Sequence, residues 1–246
     1  MSNYRTSAFV LGVHNWGEAD KLVTLFTLEK GKVKATAFGC RRPKSALAAG
    51  MQMFQCIDVE LAEGRQLDTV RQCSILKHYK RLGGELPVMA YGSFVAELAT
   101  ELMPEHEPSP EVFALLTKIF SAFEYRNPRI VALISGYQLL EHSGMQLSYS
   151  HCVDCGRELK GDCTFLINEG GALCHDCAKP GSLSYTEKLR ELILAAQDFD
   201  WNEESRMQIG KTELLQAEGI LLNQLDSLLG RPLKSLAFIE TCFGSK

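Results

Sequence analysis

Over roughly the first 80 residues apolar side chains recur at every second position, the period of a half-buried strand. Phe9, Leu11 and Val13 alternate within Thr6–Val13 and predict a strand with these three on one face. Leu22 to Leu28 is a Thr-rich, branched run that ends at the turn Glu29-Lys30-Gly31-Lys32. Val33, Ala35 and Ala37 then alternate with Lys32, Lys34 and Thr36, which predicts a strand with a basic solvent face. Ile57, Val59 and Leu61 alternate with Asp58 and Glu60, and Glu63-Gly64 turns the chain into a further strand near Leu67 to Leu76. About five short strands in this length suit a small barrel of the OB type.

Beyond Gly83-Gly84 the period becomes helical. Val88 to Met103 predicts a helix that stops at Pro104. Val112, Leu115, Leu116, Ile119, Phe120 and Phe123 follow the i, i+3, i+4, i+7 pattern, with Ser109-Pro110 as N-cap and first turn. Asn127-Pro128 opens a helix carrying Ile130, Val131, Leu133, Ile134, Tyr137 and Leu140, which ends at Gly144. Ser184-x-x-Glu187 reads as a capping box for another. A last long helix carries Leu214, Leu215, Leu221, Leu222, Leu225 and Leu228 and stops at Gly230, before Pro232. The expected fold is α+β: an OB barrel over 1–80, an α-helical domain over 81–150 and 180–246, and a cysteine module over 151–179 inserted between helices, with a strand at Phe165-Leu166-Ile167.

That module contains Cys152, Cys155, Cys174 and Cys177, two Cys-x-x-Cys pairs separated by 18 residues. Each pair presents two thiolates from one tight turn, and two such turns supply the four soft ligands that tetrahedral zinc prefers. Iron is the alternative, since four thiolates suit both. Four cysteines close the coordination sphere, so the metal is expected to hold structure and leave no position for a substrate. A segment this short has little core of its own, and a metal clip would stabilise it. His151 and His175 are read as exposed neighbours, with ligation as the alternative. A thioredoxin-like redox pair fits poorly, because no βαβ pattern surrounds these cysteines. A zinc deaminase would need His-x-Glu and Pro-Cys-x-x-Cys, and neither is here.

The other five cysteines (Cys40, Cys56, Cys73, Cys163 and Cys242) are scattered and odd in number, which suits reduced thiols in a cytosolic protein. No signal-peptide pattern appears at the start, and no apolar run reaches the ~18 residues that span a bilayer. Net charge is −4 over 246 residues, yet residues 1–80 hold 12 Lys/Arg against 7 Asp/Glu while the rest hold 14 against 23. The split assigns an anionic partner to the N-terminal part. Lys30, Lys32, Lys34, Arg41, Arg42 and Lys44 lie within 15 residues, uninterrupted by acid. On a barrel edge they would track a phosphate backbone. Phe38 is read first as core, with base stacking as the alternative. There is no phosphate loop, nucleophile elbow or His-Glu-x-x-His, so no catalytic residue is assigned.

Three stretches carry a family resemblance. Gly17-Glu18-Ala19-Asp20-Lys21-Leu22-Val23-Thr24-Leu25-Phe26-Thr27, with Glu29-Lys30-Gly31-Lys32 and Gly39-Cys40-Arg41-Arg42-Pro43-Lys44-Ser45, resembles the N-terminal OB domain of the bacterial recombination mediators of the RecO family. Tyr137-Gln138-Leu139-Leu140 through Gly144, then Cys152-Val153-Asp154-Cys155-Gly156, resembles that family's approach to its zinc module. Leu228-Leu229-Gly230-Arg231-Pro232-Leu233-Lys234-Ser235-Leu236 resembles its C-terminal signature. Cys40 departs from the small residue usual there, which touches loop packing and not charge.

The resemblance implies a non-enzymatic DNA-repair protein with one structural Zn2+. It implies binding to single- and double-stranded DNA, annealing of complementary strands, and action with RecR to load RecA onto DNA coated by single-strand-binding protein. The implied partners are RecR and that protein's acidic C-terminal tail and, indirectly, RecA and RecF. No membrane partner is implied, and the implied location is the bacterial cytoplasm, at the nucleoid. Arg41, Arg42 and Lys44 match the family's basic loop, and Lys32 and Lys34 its basic strand. An RNA-binding OB/zinc protein is the alternative.

Overall fold

The computed structural model describes residues 2–202 and 204–243. Five strands, β1 (Asn3–Trp16), β2 (Asp20–Thr27), β3 (Gly31–Ala37), β4 (Cys56–Ala62) and β5 (Asp68–Lys77), close into a barrel of order β1-β2-β3-β5-β4. β1 is long enough to pair with both β2 and β4, and the barrel closes through a short parallel contact of β3 with β5 at Ala35/Asp68 and Thr36/Thr69. This five-stranded arrangement is that of the OB class.

The helices are α1 (Lys80–Gly84), α2 (Leu86–Leu102), α3 (Pro110–Ala122), α4 (Pro128–His142), α5 (Glu187–Gln197), α6 (Lys211–Leu229) and α7 (Lys234–Phe243). Between α4 and α5 lies a three-stranded sheet of β6 (Cys163–Leu166), β7 (Gly171–Leu173) and β8 (Leu183–Tyr185), with β6 central. The chain is mixed α+β. It forms two compact units, the described parts of Met1–Ala132 with Leu233–Lys246, and Leu133–Pro232. Among the described residues no helix is long and apolar enough to cross a membrane.

The barrel core contains Ala8, Val10, Val23, Leu25, Val33, Ala35, Ala37, Ile57, Val59 and Leu61, with Cys40 and Met51 from the loop after β3. Expected alternation holds in β4; in β3 Val33, Ala35 and Ala37 face the core as expected, but Lys32 and Thr36 on the other face are buried as well. In β1 alternation is lost, since Ala8, Phe9, Val10 and Leu11 are all buried. A register shift between Val10 and Gly12 changes the phase of the strand. Ala8 and Val10 face the barrel, while Phe9 packs on the other side against Phe113 and Phe120 of α3, at 5.0 and 5.2 Å between ring centroids. Both faces of β1 are therefore covered, and its apolar residues run on without a break.

Helix signals landed well, with one correction. Ser109 Oγ accepts from Val112 N at 3.3 Å, and Asn127 Oδ1 accepts from Arg129 N at 3.0 Å. Gly230, at φ +64°, ends α6. The cap of α5 is Thr186, whose Oγ1 accepts from Leu189 N at 3.3 Å, and not Ser184. Ser184 pairs with Thr164 in the sheet, so its backbone is committed three residues before the helix starts at Glu187. α7 had no sequence signal. Glu97 caps it, accepting from Lys234 N and Ser235 N at 3.0 and 2.8 Å, where a carboxylate meets the helix's exposed N–H groups.

Candidate nucleic-acid interface and metal centre

The β1–β2 turn and the loop after β3 come together at one end of the barrel. Asp20 Oδ1 accepts from Gly39 N at 2.6 Å, and Ala19 O accepts from Arg41 N at 2.8 Å. Arg41 Nη1 also donates to Gly17 O at 3.3 Å. The loop then turns through Arg42 N to Gly39 O at 3.0 Å and Ser45 N to Arg42 O at 3.1 Å. Gly39 sits at φ +64°, a conformation open to glycine, and Lys44 adopts nearly the same φ. Arg41, Arg42 and Lys44 all point to solvent, and among the described residues none has a carboxylate partner.

The other predicted cations are placed differently. Lys30 pairs with Glu63 at 2.8 Å and lies over the Tyr4 ring at 4.1 Å. Lys34 is exposed and pairs with Glu105 at 2.6 Å. Lys32 corrects the expectation of a basic solvent face: it is only 8% exposed, and its Nζ donates to Thr100 O at 2.6 Å. The reason is tertiary. The C-terminal turn of α2 and the segment after it lie along this end of β3, where His106 N donates to Lys32 O at 3.0 Å. Gly31 permits that approach, since a Cβ there would overlap the Glu107 carbonyl. Burial lowers the Lys32 pKa below that of a free lysine, against the pull of Glu105.

Phe38 is 59% exposed and so is not a core residue. Trp16, 55% exposed, was missed by the sequence reading. Its signal was there: a tryptophan among the polar residues His14, Asn15, Gly17 and Glu18 at a strand end has nothing apolar to pack with. Asp20 acts through its bond to Gly39 N.

In the second unit the cysteines converge. The Sγ atoms of Cys152, Cys155, Cys174 and Cys177 all lie within 4.8 Å of one another, and Cys155 and Cys174 are 3.8 Å apart. A tetrahedron with sulfur arms of about 2.3 Å has edges of about 3.8 Å, so the donor set fits a tetrahedral thiolate metal. Each pair sits on a backbone turn, Gly156 N to Cys152 O at 2.9 Å and Cys177 N to Cys174 O at 3.1 Å. Arg157 and Asp176 join the two turns at 3.1 Å. Four adjacent thiols cannot all ionise alone. Burial pushes Cys152 up, but backbone N–H groups of Cys174, Cys155 and Asp154 outweigh it and bring its pKa down to about 6. The Cys174 thiol, then burial, then Cys155 and Cys152 hold Cys177 up at about 12. A bound cation would relieve this conflict. His151 and His175 are exposed and outside the cluster, and Cys163 lies apart beside Arg190.

Behind the cluster the sheet has its own aromatic packing. Phe165 stacks on Tyr149 at 5.8 Å and meets Tyr185 at 5.1 Å, and Tyr149 meets Tyr137 of α4 at 5.6 Å. Tyr149 Oη donates to Gln224 Oε1 of α6 at 2.7 Å, and Tyr137 Oη to Ala217 O at 2.8 Å. The cysteine segment thus shares a core with the helices of its unit.

An OB-type barrel with an exposed basic end, followed in one chain by helices and a four-cysteine cluster, defines an α+β protein of the OB-barrel class. Residues 1–79 match the family model for the N-terminal part of recombination protein O, and residues 84–237 match that for its C-terminal part. The chain belongs to the RecO family of DNA repair proteins. It is similar to the DNA repair protein RecO of Symbiobacterium thermophilum, 31% identical with 98% of each chain covered. It also resembles those of Nocardioides sp., 34% identical over 96% of this chain and 99% of the relative, and Bifidobacterium animalis subsp. lactis, 31% identical over 98% and 100%.

Proposed function

We propose that this chain is a non-catalytic mediator of recombinational repair. It binds single- and double-stranded DNA, anneals complementary strands and, with RecR, helps RecA load onto DNA coated by single-strand-binding protein. The observation that carries the DNA reading is the exposed trio Arg41, Arg42 and Lys44, free of carboxylates among the described residues, at one end of an OB-type barrel. Annealing requires that backbone charge be neutralised on two strands while base edges stay free, and a cationic surface indifferent to sequence does that. Lys30 and Lys34 can join it, because exposed ion pairs contribute only about 0–1 kcal/mol and a phosphate can displace the carboxylate. Lys32 is assigned to the fold.

Cys152, Cys155, Cys174 and Cys177 hold one structural Zn2+ in this reading, supported by the compact, closed thiolate set. The helical part takes RecR and the acidic tail of single-strand-binding protein, as the family resemblance implies. The test is annealing of complementary oligonucleotides coated with single-strand-binding protein, with and without RecR, beside the R41A/R42A/K44A variant. Annealing by the wild type and its loss in the variant are expected; equal annealing by both would overturn the reading. An RNA strand in competition with single-stranded DNA separates it from RNA binding.

A further inference from the structure

We infer that Trp16 and Phe38 form a stacking platform for two unpaired bases, a site that makes the barrel end prefer single-stranded over duplex DNA; this rests on the DNA-binding reading above. The ladder register supplies the geometry. Trp16 pairs with Asp20, Lys21 pairs with Ala37 and Phe38 directly follows β3, so the ladder continued by one residue aligns Trp16, Asp20 and Phe38. Alternate rows face in and out. Val13, Val23 and Ala35 form a row directed into the core, and Ala37 is buried, which turns the Trp16–Asp20–Phe38 row outward. The backbone positions of the two residues are then two strand spacings apart, about 10 Å, with both side chains on the outward face.

Three further observations direct this pair to nucleic acid. Both rings are more than half exposed. Their supports are braced by the Asp20–Gly39 and Ala19–Arg41 bonds, so little freedom is lost when a base lands on them. The carboxylate between them is turned to the Gly39 N–H, and the loop after Phe38 carries Arg41, Arg42 and Lys44 against one exposed acid in the β1–β2 turn, Glu18. Aromatic faces with an excess of cations in the adjoining loop match a strand that offers bases and phosphates together. Bases inside a duplex are already stacked and cannot reach the rings.

Tryptophan emission tests this, because the chain has two tryptophans and Trp201 is buried. The full chain is titrated with an oligothymidylate and with an abasic deoxyribose-phosphate strand of equal length. Oligothymidylate should quench the emission and the abasic strand should not, and W16F should bind normally without the quench. W16A/F38A should lose at least about fivefold in single-strand affinity per ring, the low end for a stacked base, with duplex affinity and melting temperature unchanged. Equal quenching by the abasic strand, or a double variant within twofold of wild type on single strands, overturns the inference. So does an equal loss on duplex, which would make the rings structural or part of a protein-binding face. If R41A/R42A/K44A weakens binding while W16A/F38A does not, only the platform fails; if neither does, the DNA reading fails as well.

Discussion

Asp20 Oδ1 accepts a hydrogen bond from Gly39 N at 2.6 Å, tying the β1–β2 turn to the start of the basic loop. A charge-assisted bond of this kind contributes about 1.5–3 kcal/mol, and here it also decides where Arg41 and Arg42 point. D20A should lower the melting temperature by several degrees and weaken single-strand binding despite removing a negative charge. D20N, which keeps an acceptor oxygen, should recover part of both. Tighter DNA binding by D20A would mean that the carboxylate acts as a repelling charge and not as a tether.

The cations divide into paired and unpaired sets, and salt dependence reads the division. On single strands the log–log slope should fall by roughly 0.7 for each lost phosphate contact, so R41A/R42A/K44A should flatten it by about 2. K30A/K34A should change it less, because phosphate must first displace Glu63 and Glu105. Titrations from low to moderate salt with unrelated sequences check both points.

Lys32 makes a pH prediction. Burial lowers its folded pKa, so between that value and the unfolded value near 10.4 the unfolded chain binds more protons, and stability conferred by this site rises with pH. Wild type should therefore gain on K32M as pH increases from 7 to 10, measured by chemical denaturation. The difference between the two chains cancels the groups they share. A difference that stays flat would place the amine in water.

Replacing one cysteine tests the clip. C174S should release the metal, measured by elemental analysis, and lower the melting temperature of its unit by on the order of 10 °C if about 3 kcal/mol is lost. Single-strand affinity measured below the new transition should be retained, because the basic loop belongs to the other unit. Unchanged melting with metal absent would remove its structural role.

Phe9 is buried against Phe113 and Phe120 on the outside of the barrel. F9A should cost about 3–5 kcal/mol through lost burial and the cavity left behind. Urea denaturation would show it as a lower midpoint at similar slope. A loss below about 1 kcal/mol would mean that the helix closes the gap.

Period and punctuation determined most of the secondary structure of this chain, but not α7, whose cap Glu97 comes from another helix. Alternation placed Val33, Ala35, Ala37, Ile57, Val59 and Leu61 in the barrel, and Ser109, Asn127 and Gly230 marked helix ends, because these signals act over one or two turns of backbone. Cysteine spacing likewise determined the four donors, since each Cys-x-x-Cys builds its own turn. Tertiary structure decided the rest. Lys32 and Lys34 look alike in sequence, yet one is buried because a helix end lies along its strand. Phe9 and Phe38 are both aromatics in or next to a barrel strand, yet α3 covers one and the other is exposed. Gly17 and Arg41 are 24 positions apart by number, yet Arg41 donates to the Gly17 carbonyl where Asp20 and Gly39 bond across the barrel end. Local pattern carries a residue's own preference for burial; which surface another element covers is set by long-range packing, and that is where the charges and rings of this protein acquire their role.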